Sequence, residues 1–135
     1  MAPFVYEQAR ARAPIHVQLW QAAGLKHPPR GASVRATARV VRIFRDRDRA
    51  LHLGKRISFR VSVTQPRASG GPDLSGEIYH DWDRLGRAHW LEAFMESSED
   101  GFELVRSQIV AIRHPTRRPV CGPEEKGFLC AGNVR

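Results

Sequence analysis

The chain is short of cysteine, of lysine and of long apolar runs, and each shortage removes a class of protein. No stretch approaches the roughly 18 consecutive apolar residues that would cross a membrane as a helix. The first residues, Met-Ala-Pro-Phe-Val-Tyr-Glu, have no basic stretch followed by an apolar one, so no secretory signal and a cytoplasmic location are expected. Cysteine occurs twice, as Cys121 and Cys130, with no CxxC pair. A zinc site would need two further ligands, of which His114 is the nearest candidate. Free thiols are the expectation in a reducing compartment, and a disulfide closing the short loop between the two cysteines is the alternative. Sequence fingerprints of chemistry are missing as well. There is no glycine-rich phosphate loop, no nucleophile elbow and no HExxH, and Gly70-Gly71 lies in a proline-rich stretch. No internal repeat is visible. Nothing calls for a cofactor, a resident metal or a catalytic residue.

What remains is ordinary in size and uneven in charge. The 135 residues are 41% hydrophobic and 27% charged, which suits one globular domain large enough to fold without a staple. The formal charge is +8, and Arg outnumbers Lys 19 to 3. Residues 30–67 hold 11 Lys/Arg against 2 Asp/Glu, whereas residues 68–112 hold 3 against 9. Such asymmetry fits an acidic partner or two faces of one chain that match each other. Arg suits bidentate contacts with phosphate or carboxylate, while Arg-favouring codons in a GC-rich genome give the same bias without a function.

Alternation of apolar and polar residues carries the fold. Residues 3–12 read as a short helix that Pro14 ends. Ile15, Val17 and Leu19 alternate with polar neighbours, at strand period. Val34, Ala36, Ala38 and Val40 alternate with Arg35, Thr37 and Arg39. The phase then slips, since Val41 and Ile43 are apolar, and such a slip requires a bulge or bend. Ile57, Phe59, Val61 and Val63 form another inward face, with Arg56, Ser58, Arg60 and Ser62 outward. Residues 34–45 and 55–64 therefore read as a hairpin with a charged loop. Ser97 to Gly101 is a strong turn, which makes residues 89–112 a second hairpin. Residues 65–76 are rich in Pro, Gly and Ser and read as a loop. The expected organisation is a single domain with an N-terminal arm (1–14), a β core (15–112) and an extended C-terminal tail (113–135).

The expected class is mainly β, a small antiparallel barrel or sandwich of five to six strands with at most one short N-terminal helix. The bent strand followed by hairpins resembles an OB-like barrel, a likeness of architecture that implies no function.

Three sets of residues are candidates for function. Arg35, Arg39, Arg42, Arg56 and Arg60 would share the outer surface of the first hairpin. Phe44, turned outward by the slip, is the aromatic expected beside them. Such a face fits an acidic protein partner, which makes the expected function a non-enzymatic interaction module. The same face could track a phosphate backbone, the reading of a single-stranded nucleic-acid binder. His80, Asp83 and His89 hold metal-ligating chemistry, the third reading, although solvated loop residues look the same. Trp82, Trp90, Phe94 and Phe102 could line a ligand pocket, although large aromatics more often fill the core of a small domain.

Overall fold

A computed structural model describes residues 4–22, 24, 33–62 and 82–121. They form helix α1 (Phe4–Arg12), strands β1 (Ile15–Trp20), β2 (Ser33–Asp46) and β3 (Arg56–Ser62), helix α2 (Trp82–Arg87), and strands β4 (Trp90–Ser98) and β5 (Gly101–Ile112). The structure is thus mainly β, with only small helices. Its sheet is mixed but mostly antiparallel. β1 pairs with β2 on one side and β4 on the other, β2 with β3, and β4 with β5. The parallel pairing of β3 with β5 completes the circuit β1-β2-β3-β5-β4.

Alternation places the core inside this circuit. Val17, Leu19, Val40, Phe59, Val61, Leu91, Met95 and Ile109 are fully buried, as the strand period requires. The phase slip in β2 appears as two breaks in its register with β1. Leu19 meets Val40, Val17 meets Ile43 and Ile15 meets Asp46, so Val41 and Phe44 are each left over as bulge residues. The first half of β2 serves β3 and the second half serves β1. The Asp46 carboxylate closes the loop that follows by accepting from the Ala50 and Leu51 amides, at 3.1 and 2.9 Å.

Two glycines permit close backbone approaches. Gly101 opens β5 with φ of 130°, and a Cβ there would stand 2.8 Å from the Ser58 carbonyl oxygen of β3. That approach brings β5 beside β3. A Cβ on Gly24 would overlap the Gly86 carbonyl of α2.

β5 also bulges. Ala93 meets Ile109 and Met95 meets Leu104, which leaves Phe94 opposite residues 105–108. Arg106 in that bulge has φ of 50°, uncommon for a residue with a Cβ. Gln108 accepts a hydrogen bond from buried Arg10 of α1 at 3.1 Å. Arg45 of β2 donates to the carbonyls of Arg10 and Ala13, both at 2.7 Å, and so caps the end of the helix.

Cys121 is disulfide-bonded, which corrects the expectation of free thiols. Cys130 lies outside the described residues, as do residues 65–76 and Val63.

Phe59 is fully buried while Arg60 is half-buried on the outer face. Phe59→Ala is therefore expected to lose about 3–5 kcal/mol in chemical denaturation and Arg60→Ala well under 1 kcal/mol. Equal losses would contradict the assignment of faces.

Candidate functional site

Register sets four of the candidate arginines in facing pairs. Arg35 of β2 stands directly opposite Arg60 of β3, and Arg39 opposite Arg56. Facing residues share one side of a sheet, and like charges in facing positions repel. The two pairs are treated differently. Asp100, at the β4–β5 turn, lies 3.8 Å from Arg35 and 3.5 Å from Arg60, and Glu103 lies 3.8 Å from Arg60. These are exposed contacts and contribute little to stability, yet they offset the charge. Arg39 donates to the Gly54 carbonyl at 3.3 Å. No described carboxylate reaches either Arg39 or Arg56. Arg42 is exposed and lies in register with Gln18 of β1, beyond the end of β3.

The expected aromatic is not beside this pair. Phe44, a bulge residue, is half-buried, with its ring 4.9 Å from that of His16. A different aromatic occupies the position. Trp20 faces Arg39 on one side and Trp90 on the other, so Arg56, Arg39, Trp20 and Trp90 form one row across four strands. Sequence alternation marks Trp20 as outward, but only the β1–β2 register brings it to Arg39. Beside the row runs a groove of about 580 Å³ between residues 34–39 of β2 and Trp20, Gln21, Ala22 and Gly24.

The His80, Asp83 and His89 set is described only in part. His80 lies outside the described residues, and Asp83 falls within α2. His89 donates through Nδ1 to the Gln21 carbonyl at 3.0 Å. Among the described residues, no three His, Cys, Asp or Glu side chains gather where they could hold a metal. Of the expected core aromatics, Phe94 is buried, but outside the strand circuit, against Ala13 and Cys121. Phe102 packs partly buried on the main core.

A second polar cluster was not visible in the sequence. Glu92 points outward from β4 and is nevertheless buried, because residues 116–121 lie over it. Its carboxylate accepts from His16 Nε2 at 3.0 Å, Gln18 Nε2 at 2.7 Å, and the amides of Val120 and Cys121 at 2.9 and 2.7 Å. Gln18 also binds Thr116 through both ends of its amide group. The His16 ring stacks on Phe94 with centroids 3.8 Å apart. A His–Glu pair invites a catalytic reading, but both side chains are at most 2% exposed and every contact fastens one segment to another. The cluster is a clasp that holds residues 116–121 against β1 and β4.

Burial alone would raise the Glu92 carboxyl. The side-chain bonds from His16 and Gln18, the charge of His16 and the Val120 amide outweigh it and hold the group below its ordinary range.

No protein-family model, curated protein or solved structure matches the chain.

A depressed folded-state value means that Glu92 contributes its stability above the ordinary glutamate range and loses it as pH falls through the folded value. Glu92→Gln would set an amide NH2 against donors and is expected to cost about 3 kcal/mol near neutrality. Denaturation of both proteins from neutral to acid pH should show that gap narrowing in acid. A constant gap would mean that the carboxylate's charge is not what holds the segment.

Proposed function

We propose that the protein is an OB-like five-stranded barrel that acts, without catalysis, as an interaction module for an acidic protein partner. Its docking face is the set Arg35, Arg39, Arg42, Arg56 and Arg60. The OB-like reading draws on the strand order, on the parallel β3–β5 pairing and on the small helix between β3 and β4.

The observation that carries the binding reading is the Arg39–Arg56 pair. Two guanidinium groups face each other at the edge of a groove, and no described carboxylate offsets them, whereas the neighbouring Arg35–Arg60 pair has two. Repulsion within the free protein becomes attraction to a partner that supplies the missing carboxylates. Arg is also the residue best shaped for bidentate carboxylate contacts.

One observation favours a second reading. Trp20 and Trp90 continue the row that begins with Arg56 and Arg39. Cations followed by aromatics suit single-stranded nucleic acid, in which phosphates alternate with stacking bases.

Titration with poly-L-glutamate and with oligothymidylate at low salt separates the readings. Saturable poly-L-glutamate binding, weakened at least about tenfold by Arg39→Ala with Arg56→Ala and little changed by Trp20→Ala, is the expected result. Tighter oligothymidylate binding that Trp20→Ala weakens would replace the acidic partner with nucleic acid. Binding of neither polymer would remove the basic face from function.

A further inference from the structure

We propose that the acidic partner enters as an extended segment that adds to the edge of β2 at Arg35 and Thr37, which no described residue pairs. This rests on the interaction-module reading and specifies how that face engages its ligand.

The edge exists because β1 leaves β2 early. Their last shared position is Trp20 with Arg39, while β2 from Arg39 back to Ser33 pairs, among the described strands, with β3. Gln21 accounts for the departure. Its amide donates to the His89 carbonyl at 2.8 Å, and its side chain donates to the Ala88 carbonyl at 2.7 Å and to that of Leu85 at 3.4 Å. Three residues later, Gly24 lies against the backbone of Gly86. The chain is drawn to α2, and a groove opens where β1 would have continued.

Backbone parity says which groups face that groove. Val40 donates to the Lys55 carbonyl at 2.9 Å and accepts from the Gly54 amide at 2.7 Å, so its polar backbone groups point to the β3 side. Register with β3 is unbroken from Ser33 to Arg39. Successive residues of a strand direct their N–H and C=O to opposite edges. Val34, Ala36 and Ala38 therefore serve β3, and Arg35 and Thr37 direct theirs into the groove, where no described residue pairs with them. Unpaired amides along an extended edge are a template for another strand.

Side chains define what fits. The groove runs along residues 34–39, about 20 Å at about 3.4 Å per residue, the length of a short strand. A strand seated there would set alternate side chains on the outer face, beside Arg35 and Arg39 with Arg56 one strand further on. Its other side chains would meet Val34, Ala36 and Ala38, which are small and face inward. The recognised segment alternates acidic and small apolar residues. Arginines on an edge can instead serve to repel strands, and the test distinguishes the two roles.

The probe is a capped Glu-Val-Glu-Val-Glu peptide, with a counterpart of equal charge that is N-methylated at every residue. Amide exchange in the full-length protein is followed by NMR. The plain peptide is expected to slow exchange at Arg35 and Thr37 at least about tenfold, while the amides of Val34, Ala36 and Ala38 are slow with or without it. The methylated peptide is expected to bind at least about tenfold more weakly, from the loss of about two backbone hydrogen bonds. Thr37→Pro removes a donor that β3 does not use and should abolish peptide binding while leaving poly-L-glutamate binding in place. If that variant fails to fold, the two peptides decide alone. Equal binding of both peptides, with no protection at Arg35 and Thr37, would overturn strand addition and leave the acidic-partner reading standing. Binding of neither peptide nor poly-L-glutamate would overturn both. Protection of these amides by oligothymidylate and not by the peptide would assign the groove to nucleic acid.

Discussion

The structure depends on how one long strand divides its obligations. β2 is 14 residues long and cannot keep a single neighbour on each side while it bends around a core. It gives its first half to β3 and its second half to β1, and it bends within that second half at two bulges. Three consequences follow from this division. The inward face passes from Ala36, Ala38 and Val40 to Ile43 without interrupting the core. The arginines at odd positions before the slip all lie outside, each facing another arginine of β3. And the first half of the strand has a second edge that β1 does not cover. Core, charge and groove are products of the same constraint.

Charge is arranged in the same economical way. Among the described residues, ion pairs join the acidic half of the sequence to the basic half where Asp100 and Glu103 reach Arg35 and Arg60. The β4–β5 turn that carries Asp100 ends in Gly101, whose close approach to Ser58 brings the acidic residues over β3. Compensation stops there because the turn is short, and the Arg39–Arg56 row lies four residues further along β2. Glu92, the remaining acidic residue with strong contacts, is committed to the clasp and faces away from solvent.

Much of the mainly β fold was legible because alternation survives translation into structure. Ile57, Phe59 and Val61 face inward and Arg56 and Arg60 outward, as their period requires. The Asp100-Gly101 turn joins two strands in register, and the slip after Val40 is a bulge. What escaped was everything that depends on register between strands distant in sequence. Trp20 and Arg39 become neighbours only through the pairing of β1 with β2, so alternation within β2 alone points to Phe44 as the aromatic beside the basic row. Glu92 sits at an outward position between Leu91 and Ala93, where a carboxylate reads as solvated. Nothing in the alternation says that residues 116–121 will return to cover it. Cys121 was read from its expected compartment, and its bond shows how weak that guide is for a single residue.

The clasp also bears on the order in which the protein can be made. Synthesis runs from the N-terminus, and Glu92 is complete in the chain well before the amides of Val120 and Cys121 exist to satisfy it. Gln18 waits still longer for Thr116, 98 positions away. Until those residues leave the ribosome, a carboxylate and a histidine destined for the interior remain open to water, and β1 and β4 have one wet face. Domains that rely on such distant pairings complete their structure late. The nascent sheet is thus a species in which Phe94 lacks its Cys121 cover, and its exposure to chaperones or proteases is limited by how soon residues 116–121 arrive.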